Sequence, residues 1–286
     1  MAFELPAGRP LIMGIINVTP DSFSGDGVLT QKDYIAAAVE QAARMAAEGA
    51  DLLDIGGEST RPGATPISAE EEIRRVIPVI SAIRKKLGVA PALSIDTTKA
   101  AVAEAALAAG AAIINDISAL CADPLMTELA ARQGCPVILM HNRSDPASVT
   151  EDARTGGHYH AAAYGDVVED VKRELAERAA AARAAGIAAE NIIVDPGIGF
   201  GKSAGQNLAL INHLDRLKTL GFPVLVGPSR KSFIGQLLNV PVEERLEGTA
   251  ALVAIAALRG ADIIRVHDVG FMSRVARMAA LVRDRF

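Results

Sequence analysis

Tryptophan is absent from this 286-residue chain, and only three tyrosines and seven phenylalanines accompany that absence, so aromatics make up 3% of it. With half the residues hydrophobic, the apolar mass falls to Ala, Val, Ile and Leu. That composition suits parallel strands under helices better than an aromatic-rich sandwich. Cysteine is nearly missing too. Cys121 and Cys135 form neither a CxxC pair nor a zinc spacing, which excludes a disulfide framework and fits a reducing, cytoplasmic compartment. Apolar runs of about 18 residues are lacking, so no membrane span is expected. The N-terminal "MAFELPAGRP" lacks a basic segment followed by an apolar core and does not read as a signal peptide. Basic tracts are lacking as well. The formal net charge is −5, and nucleic acid is set aside as a partner.

What is present is an alternation. Short apolar runs bounded by Gly, Pro, Asp or Asn occur at 11–16, 51–55, 92–96, 112–116, 136–140, 191–195, 223–227 and 262–266. Such runs are how strands covered on both faces look. Between them lie Ala-rich stretches with helical spacing: 32–48, 68–87, 99–109, 124–133, 164–185, 206–220, 244–259 and 271–284. Ser68 with Glu71 predicts a capping box, Gly186 suits a helix C-terminal position, and Pro78 should kink the helix that contains it. Eight strand–helix units at this length predict an α/β fold, a single (β/α)8 TIM barrel spanning 1–286 as one domain. A doubly wound open sheet is the alternative.

In such a barrel the C-terminal strand ends build the site. The first polar residues past the runs are Asn17, Asp54, Asp96, Asn115, His141, Asp195, Lys231, Arg265 and His267. Turn formers and helix caps account for some of these Asp and Asn residues, but not for Arg265 or Lys231. Asp96, Asn115 and Asp195 offer acceptors and donors suited to a flat heterocycle carrying N–H groups and a ring carbonyl, such as an aminopyrimidinone. Arg61, Lys231, Arg265 and His267 bring positive charge suited to phosphate, Thr60 adds a hydroxyl, and Gly56 and Gly57 let the backbone approach a ligand. Asn17 could help hold a Mg²⁺ that bridges a diphosphate.

Two patterns mislead. "PGIGFGKS" (196–203) resembles a phosphate-binding loop but fails its spacing, and reads as a glycine-rich turn presenting Asp195. "HYH" (158–160) has no partner fixed by spacing and is rejected as a metal site. Met140 is either core or a soft wall for a ring.

The motifs "MGIINVTPDSFS", "DIGGESTRPGA", "SIDTTK", "IINDIS", "VDPGIGFGK", "PSRKSFIG" and "IIRVHDV" closely resemble, in order, those of the dihydropteroate synthases, over residues 11–280. One departure is "SGDGV" (24–28), where many members read Ser-Asp-Gly-Gly. The resemblance implies a (β/α)8 barrel, usually a homodimer. It implies that p-aminobenzoate displaces diphosphate from 6-hydroxymethyl-7,8-dihydropterin diphosphate, with Mg²⁺ as cofactor, in an enzyme that is the sulfonamide target. It further implies pterin-binding roles for Asp96, Asn115, Asp195 and Lys231, with Asp54 and Met140 near the ring and Thr60 on the pterin substrate. Arg61, Arg265 and His267 fall at the diphosphate, Asn17 at the Mg²⁺ and Ser232 near the p-aminobenzoate. The segments 17–31 and 55–67 match two mobile loops. Two rival readings are a methyltetrahydrofolate methyltransferase on a related barrel and a pterin-binding paralogue without catalysis.

Overall fold

Apolar runs of five or six residues are too short for stable helices and long enough for strands, and eight of them pair side by side. The computed structural model describes residues 8–19, 28, 33–61, 63–145, 147–152 and 154–284. In chain order the elements are β1 (Leu11–Asn17), α1 (Tyr34–Ala47), β2 (Leu52–Gly56), α2 (Ala69–Leu87), β3 (Ala92–Asp96), α3 (Ala100–Ala108), β4 (Ile113–Asp116), α4 (Pro124–Gln133) and β5 (Val137–Met140). A two-stranded hairpin follows, β6 (Val149–Thr150) and β7 (His158–Tyr159). Then come α5 (Val167–Ala184), β8 (Ile192–Asp195), α6 (Ala204–Asn212), α7 (Leu214–Lys218), β9 (Leu225–Val226), α8 (Ser232–Leu238), α9 (Leu246–Leu258), β10 (Ile263–Val266) and α10 (Val269–Arg283).

The eight long-range strands run parallel in the order β8-β5-β4-β3-β2-β1-β10-β9. A bridge between Val194 and Val224 joins the two ends, so the sheet closes as a barrel rather than lying open. Side-chain alternation then sorts the residues. Leu11, Met13, Leu52, Ile113, Ile138, Ile193, Leu225 and Ile263 fill the inside of the barrel, and Ala92 packs against them. Their neighbours along the strands, such as Ile12, Leu53, Leu93, Ile114, Val194 and Ile264, point outward onto the helices. Each such side chain, fully buried, contributes about 1.5–3 kcal/mol.

Several local expectations are refined. Ser68 caps α2 by accepting from Glu71 N at 3.2 Å, but the Glu71 carboxylate turns to Arg74 and Arg75 instead of closing the box. A full capping box forms at Ser203 and Gln206. Helix α2 continues through Pro78, which lies on its exposed face; the Arg74 carbonyl, four residues back, accepts from the Tyr34 hydroxyl at 3.4 Å. The stretch 206–220 divides at His213 into α6 and α7. Gly186, at φ +98°, follows the C-terminal cap of α5 as expected. Residues 24–27 of the "SGDGV" segment, and most of the 17–31 loop, lie outside the described residues.

Candidate active site

Position along each strand decides what the barrel interior offers. The lower layers are apolar, as above. Two residues further on, or four in the case of Asp96, the same inward-facing positions become Asp54, Ser94, Asp96, Asn115, Asp195 and Arg265. Registration links them: Asp54 sits opposite Ser94, Asp96 opposite Asn115, Met140 opposite Asp195, and Met13 opposite Arg265. Parallel strands in register point paired side chains to one face, so these groups share the mouth of the barrel.

Arg265 is the hub. Its Nε donates to Asp54 Oδ2 at 2.6 Å and one terminal nitrogen donates to Asp96 Oδ2 at 2.8 Å. Asn115 Nδ2 donates to the same Asp54 oxygen at 2.9 Å. The other Asp54 oxygen is buried without a hydrogen-bond partner among the described residues, as is Ser94 Oγ. Burial first, and then the charge of Asp54, push the Asp96 carboxyl up to about 7. Arg265 is held above its ordinary value: burial opposes its charge, and the surrounding aspartates outweigh that cost.

Across the mouth, Asp195 Oδ1 accepts from Gly197 N at 2.7 Å, while burial pushes its carboxyl up to about 6. The loop behind it needs glycine. At φ +67°, a Cβ on Gly197 would lie 1.8 Å from the His141 carbonyl oxygen. Lys202 closes this turn from inside, donating to the carbonyls of Gly197 and Phe200 at 2.9 and 3.0 Å. Its ammonium caps backbone rather than phosphate, consistent with rejection of a phosphate-binding loop. Lys231 follows β9, and its Nζ lies 4.3 Å from the centre of the Phe200 ring. Burial, then Arg265, lower it to about 8.

Asn17, Thr60, Arg61, Asp96, Lys231, Arg265 and His267 all line one cavity of roughly 630 Å³, counting the space open to solvent. Burial lowers Arg61 from its ordinary value. The His267 backbone N–H donates to Ser229 Oγ at 3.2 Å, and that hydroxyl lies 2.9 Å from Nδ1. A hydroxyl has one proton and two lone pairs, so Ser229 serves either ring tautomer, donating to a bare Nδ1 or accepting from a protonated one.

Sequence reasoning missed Glu58 and Ser229 on this wall. The Glu58 carboxylate accepts from Lys99 Nζ at 2.6 Å and from Ile67 N at 3.0 Å, and so ties together the two ends of the loop bearing Thr60 and Arg61. Lys99 also donates to the fully buried Glu72 at 2.7 Å. Arg230 is not an ordinary solvated charge. It makes a two-pronged pair with Asp268 and sits at φ +55°.

Some expected groups lie elsewhere. His141, the first polar residue after β5, faces away from the barrel interior because Met140 before it takes the inward position. Its ring lies between Glu174 Oε2 and Lys202 Nζ, each at 3.1 Å. Burial and Lys202 bring it down to about 4. Met140 itself stays inward opposite Asp195, and it also borders a second depression, with Ser118 and Asn142. Ser232 borders a third, with Tyr159 and Phe233. Gly57 is required by packing on α2 rather than by a ligand, since a Cβ there would meet Val76 at 2.7 Å and Glu72 at 2.9 Å. His160 bonds to Ser148 and Thr150, and no group of three or more His, Cys, Asp or Glu suited to a metal exists among the described residues.

A closed parallel barrel with donors and acceptors at its centre and cations along one wall defines a class, and residues 13–267 match the family described as pterin binding enzyme. The chain is 47% identical over 275 residues to the dihydropteroate synthase of Clostridium beijerinckii, covering 96% of this chain and 94% of that one. It superposes with a TM-score of 0.85 on the dihydropteroate synthase of Xanthomonas albilineans with 4-aminobenzoic acid, at 46% identity over 96% of this chain and 93% of that one. For the Yersinia pestis dihydropteroate synthase in a sulfonamide drug complex, the TM-score is 0.88 at 42% identity, over 99% and 97%. The chain therefore belongs to the pterin-binding enzymes, within their dihydropteroate synthase family.

Proposed function

We propose that the chain joins p-aminobenzoate to the CH2 of 6-hydroxymethyl-7,8-dihydropterin diphosphate, releasing diphosphate and 7,8-dihydropteroate, the dihydropteroate synthase reaction of folate synthesis. The observation that carries this reading is the Asp54–Arg265–Asp96 array, which joins a carboxylate-rich barrel centre to a cationic wall. Asp54, Asp96, Asn115, Asp195 and Lys231 hold the pterin ring. Arg61, His267 and the remaining Arg265 donors hold the diphosphate. Ser232, one residue past Lys231, lies toward the p-aminobenzoate.

The substitution is dissociative. The C–O bond to diphosphate lengthens first, the electron pair leaves with the phosphate oxygen, and positive charge spreads from the CH2 into the ring. Asp96 and Asp195 stabilise that cation. The N–H groups of Arg61 and Arg265, with the His267 ring beside them, stabilise the leaving group more strongly as its charge grows, which is what lowers the barrier. The amine then forms the C–N bond and gives up a proton. No side-chain nucleophile is needed, and positioning of the amine supplies the rest.

Mg²⁺ fits this donor set as a substrate-borne ion. Asn17, which lines the cavity, would hold it through its amide oxygen, together with the phosphates of the substrate. When bound, it would neutralise charge on the departing diphosphate.

Incubation with both substrates and Mg²⁺, followed by mass detection, tests the reading. Dihydropteroate and diphosphate are expected in equal amounts. Methyl transfer to a corrinoid, or ligand binding without turnover, would refute it. Cytoplasmic placement is supported by the reducing-compartment cysteines. Among the described residues no helix is long and apolar enough to cross a membrane. A homodimer is supported by exposed Ile255 and Leu258 on α9 and Phe271, Met278, Leu281 and Val282 on α10. A monomeric sedimentation coefficient at assay concentration would count against the dimer.

A further inference from the structure

The hairpin between β5 and α5 touches three loops of the candidate site. At its turn, the Thr155 carbonyl accepts from a terminal nitrogen of buried Arg245 at 2.7 Å, and the other terminal nitrogen of Arg245 donates to the Arg230 carbonyl at 2.9 Å. That ties the hairpin to the loop carrying Lys231. Just past β7, Ala162 N donates to the Gly201 carbonyl at 2.9 Å, tying it to the loop after β8. Within it, His160 N donates to the Ser148 carbonyl at 3.0 Å and its ring bonds both Ser148 and Thr150, which stiffens the strand pair. From this anchored frame Tyr159 reaches the loop that bears Thr60 and Arg61. Its ring stacks on Phe200, with centroids 6.3 Å apart and planes 26° apart, beside the ring contact made by Lys231. Its hydroxyl donates to the Thr60 carbonyl at 3.3 Å, one residue before Arg61.

We propose that this hairpin is a strut that sets where Thr60 and Arg61 stand over the diphosphate, with Tyr159 as the positioning residue. The inference rests on the function proposed above. Glu58 and Lys99 fix only the ends of the loop. The Tyr159 hydroxyl holds its middle, and holds it against the Phe200 ring, which carries the contact with Lys231. The strut therefore sets the spacing between the ring-binding and anion-binding halves of the site. Tyr159 does not touch the reacting atoms in this scheme; it acts through Arg61.

Tyr159→Phe removes the hydroxyl and keeps the stack. One neutral hydrogen bond lost in this way is expected to raise KM for the pterin diphosphate about fivefold while kcat changes less. Amide hydrogen exchange over residues 59–67 should quicken, with Tm unchanged. In an Arg61→Ala background the same substitution should change KM less than twofold, because the group it positions is gone. Equal factors in the two backgrounds, or an unchanged KM in Tyr159→Phe, would overturn the proposal. Tyr159→Ala, which also loses the stack, should exceed the Phe variant; if the two are equal in KM and exchange, the ring contributes nothing and the strut is wrong. Product from the parent chain in the same assay separates the two failures: without it the assigned reaction and the strut fall together, and with it only the strut is at risk.

Discussion

Replacing Arg265 by alanine should weaken both halves of the site, not the diphosphate half alone. The guanidinium makes two charge-assisted hydrogen bonds, at 2.6 Å to Asp54 and 2.8 Å to Asp96. The Asp54 side chain is fully buried and that of Asp96 is 14% exposed. Removing one member of a buried ionic pair typically costs about 3–5 kcal/mol, chiefly because the remaining charge is left in a poor solvent. Domains are commonly stable by only about 5–15 kcal/mol, so Arg265→Ala should be folded but visibly weakened in urea. Arg265→Lys keeps the charge but cannot span both carboxylates in the same geometry, and should recover only part of the loss. The sign of the pH dependence follows. Arg265 is one of the influences holding the Asp96 carboxyl down, so without it that carboxyl rises further above its unfolded value near 4. A carboxyl whose folded pKa is raised gains stability as pH falls toward the unfolded pKa. The deficit of the variant is therefore widest above pH 8 and narrows toward pH 5. Calorimetric titration with pterin alcohol, which lacks diphosphate, should also show weaker binding. A deficit in urea that is independent of pH, together with undiminished binding of the alcohol, would refute the reasoning.

Three further outcomes follow from the same geometry. The rate at low substrate should trace a bell in pH, falling on the acid side as Asp195 and Asp96 take up protons near 6 and 7, and on the basic side as Lys231 loses its charge near 8; a profile flat from pH 5 to 9 would contradict it. Gly197→Ala forces a Cβ against the His141 carbonyl at positive φ and should cost about 3 kcal/mol or more by thermal unfolding, whereas Gly221→Ala, also at positive φ but with nothing within 4 Å, should cost only about 1 kcal/mol. Lys99→Met leaves Glu72 buried without its cation and should lose about 3–5 kcal/mol in urea, most of it regained in Lys99→Met/Glu72→Leu; a single variant as stable as the parent would remove this pair from the account.

The barrel was legible because its strands are buried on both faces and so stand out as uninterrupted apolar runs. Seven of the eight runs begin and end within one residue of the observed strands; the eighth, 223–227, narrows to Leu225–Val226 because Val224 contributes only the closing bridge. The mouth was legible wherever the first polar residue kept the inward phase, as at Asp54, Asp96 and Arg265. It failed at His141, where the apolar run ends on an inward Met140 and the next residue turns out toward Glu174. The hairpin had no such signal: two strands of two residues in a polar loop carry no periodicity. Arg245 was hidden for a different reason. In "VEERLEG" it resembles a solvated charge, and only its contacts with Thr155 and Arg230 explain why it is 1% exposed.

The charge balance at the barrel centre bears on the mechanism. Asp54, Asp96 and Asp195 face Arg265 and Lys231, three potential negative charges against two positive, while the wall beyond carries Arg61 and His267. A neutral pterin would gain little from that excess, which adds to burial in pushing the Asp96 carboxyl up to about 7, whereas at Asp195 burial raises the carboxyl to about 6 against the pull of Lys231 and Arg265. A cation forming on the ring would relieve the excess. The field therefore runs along the breaking C–O bond, negative where positive charge appears and positive where diphosphate departs. Such an arrangement favours the separated charges over the bound ground state, which is the requirement for catalysis rather than tight binding. On this view Asp96→Asn and Asp195→Asn should reduce kcat more than they weaken the pterin alcohol. A loss confined to binding would mean that the carboxylates recognise the ring without stabilising its cation.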